Sequence, residues 1–249
     1  MINFLKKRYR KLKKRNKFFW SVNWIKTYYF NYKKFPYAIA KKLPVYFYGK
    51  VKLSSIKGEI IIDAPIKKAM IGFGQNYELV SKSKRTAQLS LDGTIVCKGH
   101  VQFGIDYFVY VAKDAYCEFG HLSSMASNGK IICKEKIVLG KCARIGSEAQ
   151  LIDTNFHVMF NTETGEKHPM NAPITLGDYN FISNRVTIMQ KTSTPNYCTI
   201  ASNSLCNKDY THFGENILIG GIPAKLLKEN ISRDWEGEKE RLEKNLILY

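Results

Sequence analysis

A triangular β-solenoid is predicted by three features of the sequence. Three six-residue units stand end to end from residue 139: Leu139-Gly-Lys-Cys-Ala-Arg, Ile145-Gly-Ser-Glu-Ala-Gln and Leu151-Ile-Asp-Thr-Asn-Phe. The same spacing returns at Leu176, Ile182, Ile188, Thr194, Ile200 and Cys206, with Asn180, Val186, Thr192, Cys198 and Ser204 in the fifth places. Between the two runs, at His157, the pattern breaks where it would next require an aliphatic residue. A period of six fits neither an amphipathic helix nor an alternating strand, so a structural repeat is the better reading. Six residues per face leave one aliphatic side chain on the axis, and small residues turn the corners where a Cβ has little room. A break inside so regular a pattern is where function is expected.

The elements follow in chain order. Residues 1–43 are basic and aromatic-rich. Ile2, Leu5, Tyr9 and Leu12 are spaced as one helical stripe, and a second helix is expected from about Ser21. Pro36 and Pro44 punctuate the approach to a solenoid predicted over 44–222. Strand-like runs begin at Val45-Tyr-Phe-Tyr and continue through Glu59–Asp63 and Met70–Gly74. Phe103 and Phe119 stand where Leu or Ile would be expected, and intervals there stray from six, which predicts a wider and less regular N-terminal part. Residues 158–173 are polar, hold Gly165, Pro169 and Pro173, and read as a loop thrown out of the solenoid. Lys208 to Asn216 is a second excursion, and Ile217–Gly221 a last strand. From Pro223 to the end, Leu226, Leu227, Ile231, Trp235, Leu242 and Leu246 among many charges predict a helix capping the open end of the solenoid.

Charge is divided unevenly. The net charge is +18, yet of 39 Lys and Arg, 17 fall in residues 1–58, where no Asp or Glu occurs; the remaining 22 face 21 acidic residues. The basicity therefore belongs to an N-terminal appendage on a nearly neutral body. No run of apolar residues is long enough to cross a bilayer, and no signal-peptide pattern opens the chain. The six cysteines lack metal-site spacing and several fall at repeat positions, which predicts reduced, buried thiols in a cytoplasmic protein.

The hexads, Asp153-Thr-Asn-Phe-His157, the Asn161–Asn171 segment, Leu176–Ile188 and Gly220-Gly-Ile-Pro-Ala-Lys225 together resemble the hexapeptide-repeat acyltransferases, most of all the polysaccharide and sugar O-acetyltransferases. The resemblance runs from about Gly58 to Lys228. It implies a mainly β fold, a left-handed parallel β-helix, with acetyl-CoA as co-substrate, a sugar or a nucleotide- or lipid-linked sugar as acceptor, and a homotrimer whose sites lie between subunits. It implies neither a metal nor a covalent enzyme intermediate.

Acyl transfer to a hydroxyl or amine needs a base, donors for the developing oxyanion, and a groove that aligns the thioester. Histidine suits the first task at neutral pH. Of His100, His121, His157, His168 and His212, His157 stands at the junction of coil and loop, with Asp153 and Asn155 before it to orient its ring or hold the acceptor. The resemblance places the base there too. His168, Asn161 and Asn171 in the loop are candidates to touch the acceptor. Matching the family's cofactor groove are Phe181, Ile182, Ser183, Asn184, Ala201, Ser202 and Asn203, with Lys208 and Lys225 near the nucleotide end. Phe181 stands where the family often has Trp, and Ser183-Asn184 where it often has Gly-Ala, which leaves an acyl group other than acetyl open. O- and N-acetylation also stay open. The solenoid's carbonic-anhydrase-like branch needs a His-x-x-x-x-His pair, which these five do not make. A non-catalytic scaffold, or a nucleic-acid binder using the tail, is the competing reading, although no nucleic-acid fold accompanies the tail. Residues 1–35, with nine cations in the first 17 and then Phe18, Phe19, Trp20 and Trp24, suggest a peripheral contact with an anionic membrane at the cytoplasmic face.

Overall fold

The computed structural model describes residues 2–76, 78, 83, 85–238 and 240. It is a three-faced parallel β-helix entered through helices. Helix α1 spans Ile2–Ser21, α2 Trp24–Lys34 and the one-turn α3 Tyr37–Ala40. Strands then stack into three parallel sheets. The first face runs from Val45–Phe47 through Ile71–Phe73, Val101–Phe103, Ser123–Met125, Arg144–Ile145, Phe181–Ile182 and Thr199–Ile200 to Leu218–Gly221. The second opens with Val51–Ile56 and ends at Leu205–Cys206, and the third runs from Glu59–Ile62 to Ser193–Thr194.

The hexads lie as expected. Leu139, Ile145 and Leu151 fall on the third, first and second faces in turn, all buried on the axis. Leu176 to Cys206 repeat the arrangement, and the five fifth-place residues are also buried. Corners tolerate no side chain where coils stack: a Cβ on Gly140 would stand 2.5 Å from the Gly177 carbonyl carbon, and one on Gly146 2.7 Å from that of Ser183. Thr194, the polar residue of the inward row, donates to Asn180 Oδ1 (2.6 Å) and accepts from the Gly177 N–H (3.2 Å), so its hydroxyl is satisfied inside.

Register measures the girth of each coil. Ile71 pairs with Val101, 30 residues on; Phe103 with Met125, 22 on; Met125 with Ile145, 20 on; Ile182 with Ile200, 18 on. The N-terminal coils are wider, as predicted. Aromatic rings fill them: Phe47, Phe73 and Phe103 stack with centroids 5.2 and 4.4 Å apart.

An exposed edge strand invites pairing with another chain. Here α2 closes it. Asn31 accepts from the Val45 N–H (3.2 Å) and donates to the Val45 carbonyl (2.6 Å). Thr27 Oγ1 accepts from the Phe47 N–H (3.0 Å), and the Asn23 N–H donates to the Phe47 carbonyl (2.8 Å). Three side-chain bonds and one backbone bond thus replace the missing neighbour strand, while Phe30 packs on Phe47 beneath.

The C-terminal stretch departs from expectation. Ala224–Lys228 is not helical; it turns back as a strand antiparallel to Leu218–Gly221, with Ile219 opposite Leu226 and Gly221 opposite Ala224. Helical residues are 235–238 and 240. Trp235 does not cover the open end either. It packs on Leu122 and Cys142, with Tyr179, Phe181 and Tyr197, along the edge between the third and first faces. Leu242 and Leu246 lie outside the described residues, as do the side chains of Ile2, Leu5 and Leu12.

Candidate active site

The break at His157 becomes a projecting hairpin. Leu151 pairs with Ile188 and Ile137 with Ile174, so the coil is resumed at Ile174 and the intervening chain leaves the solenoid. Met159–Phe160 pairs antiparallel with Lys167–His168. The tip is turned by Asn161, whose Oδ1 accepts from the N–H groups of Glu163 (2.8 Å) and Thr164 (3.1 Å). This bonding makes Asn161 a turn-former, a correction to its reading as an acceptor ligand.

Asp153 is corrected as well. It is fully buried, and its carboxylate accepts from the N–H groups of Lys134 (2.7 Å), Glu135 (2.8 Å) and Lys136 (2.9 Å) one coil above. With both oxygens held this way it is a corner clamp, not a partner for a histidine ring. His157 is exposed, and no described residue hydrogen-bonds its ring. His168, opposite Met159 in the hairpin, is exposed too.

At the hairpin's foot is a cavity of about 250 Å³ lined by Asn155, Met189, Gln190, Lys191, Leu205 and Asn207. Asn155 was expected here; Gln190 was not. Continuing the pairing of Leu151 with Ile188 and Ile152 with Met189, Gln190 occupies the place of Asp153 one coil on. Its Oε1 is buried and has no hydrogen-bond partner among the described residues, and the same holds for Asn171 Oδ1, beside the Thr154–Asn171 bridge at the hairpin base. Buried acceptors without donors are costly, and here they lie beside the one irregular point of the lower solenoid. Counting places from Asp153 across the excursion would have found Gln190 in the sequence.

The expected cofactor residues divide between two places. Ser183, Asn184, Ala201, Ser202 and Asn203 form the corner between the first and second faces. Equivalent corner N–H groups belong to Ser127, Ser147, Asn184 and Ser202. Ser127 donates to Glu78 (2.6 Å) and Ser147 to Asn184 Oδ1 (3.0 Å), whereas the N–H groups of Asn184 and Ser202 have no acceptor among the described residues. Both residues are exposed. Two unspent donors one coil apart suit a ligand with spaced carbonyls, so this edge fits the pantetheine arm of acetyl-CoA. Phe181 does not line it freely: the Arg233 guanidinium lies 4.9 Å from its ring and 4.7 Å from that of Trp235. Lys208 is exposed on the last coil with its ammonium 5.7 Å from the Tyr210 ring, and Lys225 is exposed on the returning strand.

All six cysteines are buried, and burial pushes the Cys198 and Cys206 thiols up to about 12. A thiolate nucleophile is thereby disfavoured. The His100 N–H donates to His121 Nδ1 (3.2 Å) in a wall of the upper solenoid, away from the hairpin.

Proteins of solved structure similar to this chain are acetyltransferases. The polysialic-acid-specific acetyltransferase NeuO is 16% identical, with 81% of this chain and 85% of that one covered at a TM-score of 0.49. The polysialic acid O-acetyltransferase OatWY is 20% identical, with 74% and 91% covered at 0.49. A 24.8 kDa protein of the cps region of Klebsiella pneumoniae is 23% identical over 190 residues, 74% of this chain and 78% of that protein. No protein-family model matches.

Proposed function

We propose that the protein transfers an acetyl group from acetyl-CoA to a hydroxyl, or an amine, of a sugar in the biosynthesis of a bacterial-type surface glycan. The observation that supports this most directly is the hairpin itself: an exposed histidine at its root, over a cavity with unpartnered polar acceptors, at the single break in the regular coils. His157 takes the proton that the acceptor hydroxyl loses. Asn155 and Gln190 orient the acceptor in the cavity beneath, with Asn171 and His168 close by on the hairpin. Acetyl-CoA, when bound, supplies the thioester; Asn184 and Ser202 hold it through backbone N–H groups, and Ser183, Ala201 and Asn203 shape the edge. Lys208 and Lys225 are left to meet the nucleotide phosphates. No covalent enzyme intermediate is involved.

The base and the thioester edge lie on opposite sides of the second face. A complete site therefore draws its histidine from one protomer and its edge from a neighbour, as in a homotrimer. Phe156, Val158, Met159 and Phe160, all exposed on the hairpin, supply apolar surface for that contact. The setting is cytoplasmic, with residues 1–35 toward the inner face of the membrane.

His157→Ala should lower kcat for thiol release by on the order of 10²-fold or more while acetyl-CoA binding is kept. If the variant retains most of its turnover, the base lies elsewhere, with His168 the next residue to change. Light scattering should give three protomers at working concentration; an active monomer would defeat the shared site.

A further inference from the structure

The outward side of the N-terminal cap displays more apolar surface than closing a solenoid requires. Thr27, Phe30 and Asn31 face inward from α2; Ile25, Tyr28, Tyr29 and Tyr32 on its other side are exposed, Ile25 by 82%. Trp20 at the end of α1 is exposed by 81% and Tyr37 in α3 by 71%. The rings form one continuous strip: Phe19 lies 5.2 Å from Trp24, Trp24 6.0 Å from Tyr28, and Tyr28 and Tyr37 each 6.3 Å from Tyr32. Exposed Lys33, Lys41 and Lys42 flank it, and no acidic residue occurs before Glu59.

We propose that this face of the cap docks on an anionic lipid bilayer, with Trp20, Ile25, Tyr29 and Tyr37 at headgroup depth. The residue types choose the occupant. Trp and Tyr, with an apolar body and a polar tip, settle at the boundary between headgroups and hydrocarbon. A surface built for a second copy would set cations against cations, since the whole of residues 1–58 is free of acid. Against an anionic leaflet each Lys or Arg instead adds about 1 kcal/mol, decaying within a Debye length. Among the described residues no helix is long and apolar enough to cross a membrane, so the contact is peripheral. The sequence had placed membrane contact on the stripe of Ile2, Leu5, Tyr9 and Leu12; the structure moves its centre to residues 19–37. This contact stands apart from the acetyl-transfer reading and survives that reading's failure.

The test is co-sedimentation of the full-length protein with vesicles of phosphatidylglycerol and phosphatidylcholine, and with phosphatidylcholine alone. Binding is expected to the anionic vesicles only, falling as salt rises, with a blue shift of tryptophan emission. The triple variant Trp20→Ser, Ile25→Ser, Tyr29→Ser alters exposed positions only; with an unchanged circular dichroism spectrum it should partition at least tenfold less. Three results would overturn the proposal: wild-type protein remaining in the supernatant, the triple variant partitioning like wild type, or a labelled oligonucleotide displacing the protein from the vesicles. Loss of self-association in the triple variant without vesicles would assign the face to a second copy and overturn it as well.

Discussion

The upper and lower halves of the solenoid reach one architecture by different means. From Val45 to Met125 a coil takes between 20 and 30 residues and is filled by stacked rings, with Phe47, Phe73 and Phe103 in one column. From Ile182 onward a coil takes 18 residues, and single aliphatic side chains share the interior with Asn180 and Thr194. Girth is thus set by what fills it. Large rings allow slack in coil length because a face two residues longer still meets apolar surface. Small side chains demand strict spacing, and strict spacing is what holds the corner N–H groups of Ser147, Asn184 and Ser202 in one line. The half that is held to six residues is the half that presents the candidate site.

Substitutions can break this contrast in either half. The largest effect is expected from Phe73→Ala, which removes the middle ring of the aromatic column and should destabilise by about 3–5 kcal/mol. Because coils in a solenoid contact chiefly their neighbours, hydrogen exchange should rise over 45–103 and change little over 174–206. Equal loss of protection in both halves would show one cooperative unit and remove the distinction. Asp153→Ala comes next. Losing a buried carboxylate that holds three N–H groups should cost about 3 kcal/mol, read as a lower melting temperature with exchange rising first at residues 134–136. An unchanged melting temperature would argue that these N–H groups find water at no cost. Thr194→Val is the mildest, about 1–2 kcal/mol, since it strands Asn180 Oδ1 and the Gly177 N–H while keeping the shape. If Thr194→Val were instead stabilising, the polar interior of the lower coils would be an accident of sequence, not part of their packing.

Much of this was legible in the chain. The six-residue interval named Leu139, Ile145 and Leu151 as inward residues, and the absence of an aliphatic residue at His157 located the excursion. Wider upper coils were announced by Phe103 and Phe119. What escaped were features settled by residues far apart in sequence. Asp153 has the chemistry of a catalytic partner, but three N–H groups 17 to 19 residues earlier claim it. Leu226 and Leu227 look helical in isolation; pairing with Leu218–Gly221 overrides that preference. Phe181 reads as an open platform until Arg233, more than fifty residues on, comes back to cover it. Conversely, the cap's use of Asn31 and Thr27 as a substitute strand has no local signal, because polar residues within a helix usually face solvent.

The stacking of coils also makes the molecule a ruler. Adjacent strands in a sheet stand about 4.8 Å apart. On the first face four such intervals separate Val45–Phe47, under the cap, from Arg144–Ile145, in the coil from which the hairpin departs. The root of the hairpin therefore rises about 19 Å above the edge strand that α2 closes. That height is quantised: inserting or deleting one whole coil between residues 71 and 139 would shift it by a single strand spacing without altering the hairpin, the corner or the cap. A chain built this way can match the stature of its acceptor by counting turns.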